Sequence, residues 1–335
     1  MLFFVTCITF VTIKKQSFVK IHIIFLILSI ASACFSQQEK PNDLSKVSTG
    51  KLDHYDAFPS VNVHPRNVDV WLPESYNSTS RYSVIYFHDG QMLFDSTSTW
   101  NGQEWGLDET AGRLISNNLV RPFIIVAIWN TKLRHSEYFP QKAFMQLSSS
   151  FRDSLLTHSR RNSETALFQS DVQSDAYLRF IVTELKPFID KQYATLPDRE
   201  NTFIAGSSMG GLISMYAVCE YPDVFGGAAC LSTHWPGIFT LENNPVPDAF
   251  LNYLRINIPD ADNHRWYFDH GTETLDQLYG ETQVKVDELF YKMGYSDKNF
   301  VSLRFEGADH TEKAWCNRVE IPLQFLLPPF HKKQP

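Results

Sequence analysis

The sequence predicts an α/β fold with a single domain over residues 60–330, in which helices flank a central, mostly parallel β-sheet. Nearly continuous apolar runs, such as "YSVIYFHDG" and "PFIIVAIWN", are typical of strands that are buried on both faces of a parallel sheet. These runs alternate along the chain with segments of helical periodicity. A chain of 335 residues of which 43% are hydrophobic is also long and apolar enough to bury a large core.

The first 36 residues have the features of a secretory signal peptide and are set aside from the fold. Two apolar runs, "MLFFVTCITFVTI" and "IIFLILSIASA", flank three lysines. Neither run reaches the roughly 18 to 20 apolar residues that a membrane-spanning helix requires. Basic residues, an apolar run and the small residues of "ASAC" predict export, with cleavage after Ala33 or a few residues later. We therefore expect a periplasmic, cell-surface or secreted protein, with a lipid anchor at Cys34 as an open alternative.

Charge and cysteine content exclude several classes of function. The chain has 30 basic and 37 acidic residues, and residues 1–36 hold three of the lysines and no acid, so 27 basic residues and a formal charge of −10 remain. Nucleic acid is not expected as a partner of such an acidic chain. The cysteines after residue 36 are Cys219, Cys230 and Cys316. Their wide spacing predicts no metal site and at most one disulfide.

The predicted elements begin after a polar linker at residues 37–59. "NVDVWLP" alternates apolar and polar residues, which predicts a half-buried strand at the edge of the sheet. The two buried strands given above come next. Residues 148–175 are polar and fit no central element, so we interpret them as a solvated loop or as a lid at the mouth of a site.

The second half of the chain continues the alternation of helices and strands. Six apolar residues on one stripe predict an amphipathic helix over residues 175–193. Four further strands are then predicted, each closed by a small residue: "NTFIAG", "FGGAACLS", "RWYFDHG" and "FVSLRFEG". A helix is predicted to begin at Ser208, and another to span residues 312–326.

The stretch "TFIAGSSMGG" joins a predicted strand to a predicted helix. A Gly-x-Ser-x-Gly sequence in this setting is typical of a nucleophile elbow, the sharp turn that presents the catalytic serine of an α/β-hydrolase. One register fits, from Gly206 to Gly210, and it places Ser208 at the centre. Ser207 lacks glycine two residues before and after it. We therefore predict Ser208 as the nucleophile and Ser207 as a small packing residue beneath the turn.

A serine that accepts an acyl group needs two backbone N–H groups to bind the oxyanion. One comes from the residue after the nucleophile, here Met209, and the other from a loop that follows an earlier strand. "YFHDGQMLFD" contains such a loop, with Gly90 for tight backbone geometry. Gln91 is therefore the predicted second donor, and His88 is interpreted as structural.

The base is predicted as a histidine after the last strand. His310 in "EGADHTEKAW" has this position, whereas His264 and His270 lie before or on the preceding strand. The acid must follow that preceding strand in order to reach the base. Asp276 is the first choice and Glu273 is the alternative. The resulting order of serine, acid and histidine is that of α/β-hydrolases.

Five motifs in order resemble those of the esterase family within the α/β-hydrolases that includes esterase D, feruloyl, acetylxylan and enterochelin esterases and the mycolyl transferases. They are "YFHDGQMLFD", "FIAGSSMGGLISMYA", "YPDVFGGAACLS", "FDHGTETLD" and "EGADHTEKAW". The resemblance covers about residues 67–327 and implies an α/β-hydrolase fold. It implies Ser208 and His310 as nucleophile and base, with Gln91 and Met209 as oxyanion donors. The acid is carried over less directly, because its position shifts among relatives.

The resemblance implies two-step hydrolysis of an ester without a metal or an organic cofactor. We expect an exported serine carboxylesterase acting on an acetyl or feruloyl ester of a carbohydrate, that is, on a small-molecule or glycan ester. A siderophore esterase, a sugar acyltransferase and a non-catalytic glycan-binding relative remain alternatives. Trp235 and His234 are the predicted substrate contacts. Other aromatic and basic residues considered for the pocket are Trp100, Trp105, Trp129, Trp315, Arg134, Arg160 and Arg161.

Overall fold

Strands and helices alternate through residues 45–330, the part of the chain that the computed structural model describes. The predicted signal peptide at residues 1–36, the proposed anchor at Cys34 and the start of the linker lie outside the described residues. The strands are β1 (Lys51–Phe58), β2 (Arg66–Leu72), β3 (Ser83–His88), β4 (Phe123–Ile128), β5 (Thr202–Ser207), β6 (Gly227–Leu231), β7 (Arg265–His270) and β8 (Phe300–Arg304).

The helices cover both faces of the sheet. In chain order they are α1 (Leu107–Ser116), α2 (Arg134–Tyr138), α3 (Gln141–Phe144), α4 (Ser149–His158), α5 (Ser174–Phe180), α6 (Lys186–Gln192), α7 (Met209–Glu220), α8 (Val246–Asn257), α9 (Gly280–Lys292), α10 (Glu312–Cys316) and α11 (Glu320–Leu326). Within the described range, none of these helices is both long and apolar enough to traverse a lipid bilayer.

The described strands form one sheet in the order β1-β2-β4-β3-β5-β6-β7-β8. Pairing is antiparallel between β1 and β2 and between β2 and β4, and it is parallel between all the other neighbours. The prediction of a mostly parallel sheet in an α/β fold is therefore confirmed. Every residue of β3, β4 and β5 is buried, as their continuous apolar runs predict.

Alternate residues of the central strands enter two different cores. On β3, Val84 and Tyr86 belong to the core on one face of the sheet, whereas Ile85 and Phe87 belong to the core on the other face. This division follows from the two-residue period of a strand. With both faces covered by helices, the carboxyl ends of six parallel strands remain open on one side, which is where α/β sheets bind ligands.

Two predictions at the antiparallel end of the sheet are wrong. Residues 51–58 were assigned to the linker but form β1, and β2 is therefore not an edge strand. β2 remains buried despite its polar residues because these residues are paired. Asp69 lies 2.5 Å from His54 of β1, and it accepts a hydrogen bond of 2.6 Å from the indole of Trp129. Buried Arg66 forms an ion pair with Glu137 at 2.7 Å.

Two predicted helices form with interruptions. The amphipathic segment contains α5 and α6, joined by a π-helical turn at Ile181–Leu185. The helix predicted over residues 312–326 is divided into α10 and α11. Pro322 explains this division, because it has no N–H to donate to the carbonyl of Arg318 and continuous helical bonding is lost there. Thr311 caps α10 by accepting a hydrogen bond from the N–H of Ala314 at 3.3 Å.

Candidate active site

Ser208 occupies a strained turn between β5 and α7. Its backbone has φ 58° and ψ −120°, a conformation that residues other than glycine rarely adopt. The turn is held by a hydrogen bond of 2.9 Å from the N–H of Ser208 to the carbonyl of Leu231. A Cβ atom on Gly206 would lie 2.8 Å from the backbone of Gly210, so this spacing requires glycine. The turn directs the Ser208 side chain to a cavity at the carboxyl ends of the parallel strands.

Asp276 is the carboxylate that contacts His310. The distance between Asp276 Oδ1 and His310 Nδ1 is 2.5 Å. The other carboxylate oxygen of Asp276 accepts hydrogen bonds from the Ser232 hydroxyl at 2.6 Å and from the N–H of Gly271 at 2.5 Å. The backbone N–H of His310 donates to the hydroxyl of Thr274 at 2.9 Å. The acid and the imidazole are therefore fixed relative to each other.

The surroundings of Asp276 favour its ionised form. Burial opposes ionisation of this carboxyl, but it is outweighed by the hydrogen bond and charge of His310 and by the donors of Ser232 and Gly271. Together these groups hold the pKa of Asp276 below its ordinary value. An ionised Asp276 can orient the imidazole and stabilise its charged form.

The other two carboxylates near this position do not contact His310. Glu273 is exposed and precedes the short 3₁₀ helix that carries Asp276. Asp269 lies on β7, where it forms a buried ion pair with Arg318 at 3.0 Å. Of the two predicted acids, the structure thus brings Asp276, rather than Glu273, into contact with His310.

Ser232 connects the acid to the last helices of the chain. Its hydroxyl oxygen accepts hydrogen bonds from the indole N–H of Trp315 at 3.0 Å and from the guanidinium of Arg318 at 2.8 Å. Both partners are donors only, so the Ser232 proton must point to Asp276. No sequence motif marks Ser232 or Arg318 as part of the site, because they reach Asp276 only through the tertiary fold.

Gln91 and Met209, the predicted oxyanion donors, both line the cavity that contains Ser208. Met209 is the first residue of α7, so its N–H has no acceptor within the helix. Gln91 lies in a 3₁₀ turn directly after β3. Since β3 and β5 are adjacent and parallel, Gln91 and Met209 follow neighbouring strand ends at the edge of the sheet where the cavity lies. An oxyanion hole needs two backbone N–H groups from such positions.

The turn that carries Gln91 is anchored by Asp89. Asp89 has a left-handed backbone, with φ 60°. Its two oxygens accept hydrogen bonds from Nε and Nη2 of Arg134, both at 2.7 Å, and Asn130 Nδ2 donates to it at 2.6 Å. The backbone N–H of Asn130 in turn donates to the side chain of Gln91 at 3.1 Å. Burial opposes ionisation of Asp89, but the charge and hydrogen bonds of Arg134 outweigh it and lower the pKa.

Asp89→Asn is expected to destabilise the fold by up to about 3 kcal/mol, because it leaves the charge of Arg134 unpaired in a site that is largely shielded from water. Since the native pKa of Asp89 lies below its unfolded value, this stabilisation is present above the unfolded pKa of about 4 and is lost as pH falls through the native pKa. The difference in unfolding free energy between wild type and variant should therefore shrink on acidification, as urea titrations at several pH values would show.

The same variant should lower kcat about 10- to 100-fold, because a loosened turn misplaces Gln91, the predicted oxyanion donor, and such a donor contributes about 10² to 10³ in rate. Glu281→Gln, which removes the exposed pair with Lys285, is the control and should affect neither property. An Asp89→Asn protein with wild-type kcat and a pH-independent stability difference would contradict this role.

The cavity above Ser208 has a volume of about 910 Å³ and combines aromatic with cationic walls. Trp100 stands at its mouth with 85% of its surface exposed, and Phe239 is about half exposed nearby. Segment 148–175, interpreted as a loop or lid, forms α4 and then contributes part of the wall. Residues of this cavity beyond those already discussed include Trp105, Lys132, Arg161, Leu167, Gln169, His234, Leu275 and Trp315.

Three of the residues considered for the pocket do not line this cavity. Trp235, predicted as a substrate contact, is fully buried, stacks on Phe268 and donates its indole N–H to Gln283 at 2.9 Å. That prediction is wrong, because the loop after β6 turns Trp235 into the core. Trp129 is bonded to β2, and Arg160 does not line the cavity.

His234 does line the cavity, beside a residue that the motifs do not indicate. Its ring nitrogen Nδ1 lies 2.9 Å from the hydroxyl of Tyr279, which is fully buried. The ring of Tyr279 also packs edge-on against His310, with centroids 5.8 Å apart. Tyr279 follows Asp276 by three residues, so the turn that supplies the acid supplies this tyrosine as well.

Comparisons with known proteins identify the family and the fold of the chain. The family model described as "Putative esterase" matches residues 61–318. The Uncharacterized protein YbbA of Bacillus subtilis (strain 168) is 26% identical over 268 residues, which are 78% of this chain and 92% of YbbA.

Two solved structures share the fold at low sequence identity. A CE1 ferulic acid esterase from Anaeromyces mucronatus has a TM-score of 0.57 and 18% identity, and the match covers 84% of this chain and 93% of that one. The enterobactin esterase from Shigella flexneri has a TM-score of 0.55 and 15% identity, with 85% of this chain and 60% of that one covered.

Proposed function

Because the chain belongs to this esterase family and is an enzyme that acts on ester bonds, we propose that it is an exported serine carboxylesterase for acylated carbohydrates. The observation that carries the proposal is the juxtaposition of three groups at one cavity. The strained elbow presents Ser208, the imidazole of His310 lines the same cavity, and Asp276 holds that imidazole at 2.5 Å. The signal-peptide pattern of residues 1–36 supports export.

In the proposed reaction His310 removes the proton of Ser208 as its oxygen attacks the ester carbonyl. The N–H groups of Gln91 and Met209 bind the oxyanion, and protonated His310 then gives its proton to the leaving alcohol. The acyl group remains bonded to Ser208 until His310 activates a water molecule that releases the acid. Asp276 keeps the imidazole in the required tautomer and stabilises its charge throughout.

The mouth of the cavity supports a carbohydrate ester. Trp100 and Phe239 line the same cavity as Ser208 and His310, and both present aromatic surface to solvent there. The C–H face of a sugar ring and the face of an aryl group are apolar surfaces on which such side chains can stack. A hydrogen bond of 2.8 Å from Asn101 to Glu312 connects the loop of Trp100 to α10, close to the base.

A siderophore ester is the second candidate, and cationic residues at the cavity favour it. Lys132 and Arg161 both line the wall. The charge of Arg134 is already balanced by Asp89, so these two residues are the cationic groups left to attract an anionic catecholate. Acyl transfer to a sugar would use the same acyl-enzyme with an alcohol as the acceptor instead of water.

A panel of substrates distinguishes these possibilities. We expect hydrolysis of p-nitrophenyl acetate and higher kcat/KM for acetylated or feruloylated xylan fragments, with a catecholate siderophore as the competing substrate. A fluorophosphonate probe should label the folded protein at Ser208, as mass spectrometry would show. Absence of labelling in folded protein would favour a non-catalytic glycan-binding relative. Preference for the catecholate would assign the second candidate, and N-terminal sequencing of the mature protein would test export.

A further inference from the structure

His234 and Tyr279 form a buried polar pair next to Ser208. The backbone N–H of His234 donates to the carbonyl of Ser208 at 3.2 Å, which fixes the imidazole beside the elbow. His234 Nδ1 lies 2.9 Å from the hydroxyl of Tyr279 and is paired with it. The catalytic steps described above use neither residue.

Among the described residues that line the cavity, His234 is the one with a buried side-chain nitrogen left unpaired. The residue is 1% exposed and lines the cavity, yet its Nε2 has no hydrogen-bond partner in the described part of the chain. A buried polar atom without a partner costs free energy, so native structures seldom retain one without a function. By contrast, His135, also buried at the cavity, bonds the carbonyl of Gly237 at 2.9 Å.

We propose that His234 Nε2, held in place by Tyr279, binds a hydroxyl group of the substrate close to the scissile ester. The inference rests on the proposed function, since it assigns a subsite of the same cavity. The substrate class is thus narrowed to esters with a free hydroxyl group near the ester bond.

An uncharged hydroxyl is the group that matches His234. Burial, reinforced by nearby positive groups, lowers the pKa of His234 well below its ordinary value, so the imidazole is neutral and offers no charge to an anion. Either tautomer is compatible with the Tyr279 bond, and Nε2 is a donor in one and an acceptor in the other. A hydroxyl both donates and accepts, so it pairs with Nε2 in either case.

The position of His234 allows two sources for that hydroxyl. The oxyanion donor Gln91 follows β3, whereas His234 follows β6, on the opposite side of β5. A carbonyl whose oxygen points to Gln91 therefore directs one of its other substituents toward His234. The hydroxyl can belong to the alcohol, as in a sugar with a free neighbouring hydroxyl, or to the acyl group, as in a 2-hydroxy acid.

Two matched pairs of esters test the subsite and separate the sources. The alcohol pair is 2-hydroxyethyl acetate and 2-methoxyethyl acetate, and the acyl pair is methyl lactate and methyl 2-methoxypropanoate. In one of the pairs, wild-type kcat/KM should be about 10-fold higher for the hydroxyl ester, since its methoxy analogue leaves Nε2 poorly matched. That pair identifies the source.

Variants assign the preference to His234. His234→Asn keeps an amide near Nδ1 but removes Nε2, and its hydroxyl-to-methoxy ratio should fall to about 1. His234→Gln places an amide near the position that Nε2 occupies in wild type, so it should keep most of the hydroxyl-to-methoxy ratio. Tyr279→Phe should lower the ratio, because His234 is then held less firmly. His264→Asn is the matched control, because His264 is buried away from the cavity with both nitrogens bonded to backbone carbonyls.

The outcomes separate the two proposals. A wild-type ratio near 1 in both pairs, or a ratio that persists in folded His234→Asn, would overturn the subsite while leaving the esterase intact. So would hydrolysis of p-nitrophenyl acetate without measurable hydrolysis of either pair. Failure of wild type to hydrolyse p-nitrophenyl acetate or to be labelled at Ser208 would instead refute the esterase, and the subsite with it. The wild-type ratios of kcat/KM for hydroxyl and methoxy esters test the subsite even if a variant does not fold.

Discussion

Ser208→Ala is expected to lower kcat/KM by at least about 10³-fold on every ester that the wild type hydrolyses. The substitution removes the atom that attacks the carbonyl, and no other hydroxyl can replace it in the elbow. Initial rates with p-nitrophenyl acetate, followed by the released phenolate, measure the effect. Thermal unfolding of both proteins should show that the variant is folded.

Ser207→Ala is the matched control for this experiment. Ser207 is the adjacent serine and the last residue of β5; it is buried, and it lines the cavity next to Ser208. Loss of its hydroxyl should change kcat/KM only a few-fold. Hydrolysis that survives in Ser208→Ala but disappears in Ser207→Ala would show that the glycine spacing selects the wrong serine.

Asp276→Asn is expected to lower kcat about 10⁴-fold with little change in KM, because the carboxylate acts on the imidazole and not on the substrate. Asparagine has nearly the same shape but cannot stabilise a positively charged His310. Its amide can also present a donor to Nδ1, which favours the wrong imidazole tautomer. Steady-state kinetics on one soluble ester would measure the loss.

Glu273→Gln serves as the control, since Glu273 is exposed and does not contact the base. It should retain wild-type kcat. An Asp276→Asn enzyme within 10-fold of wild type would instead show that serine and histidine suffice for hydrolysis in this chain. A loss in Glu273→Gln alone would identify the exposed carboxylate as the acid.

Chain order was enough to predict that Ser208 and His310 lie at one cavity at the carboxyl ends of the strands. In a parallel sheet these ends lie on one side, so a serine after β5 and a histidine after β8 must approach each other. The same rule left Asp276 and Glu273 undecided, since both follow β7. Local turn geometry separates them, and a sequence pattern does not encode which carboxylate faces inward.

The features that the sequence did not predict depend on tertiary contacts. Trp235 and Trp100 both follow short polar stretches of sequence, yet Trp235 is in the core and Trp100 is 85% exposed. The polar sequence of residues 51–58 predicts a linker. In the structure this segment is β1, because it pairs with β2, and the local pattern does not show that pairing. Tyr279 and Ser232 are common residues whose importance comes only from the side chains that they reach.

The contacts of Ser232 join residues that are synthesised at different times as the chain grows. The base at His310, and the Trp315 and Arg318 donors that fix the Ser232 proton toward the acid, all lie within the final 26 residues of the 335-residue chain. The nucleophile at Ser208 is synthesised about a hundred residues earlier. A chain cut before residue 310 therefore keeps the elbow but lacks both the proposed base and the donors that support Asp276, so we expect it not to hydrolyse esters.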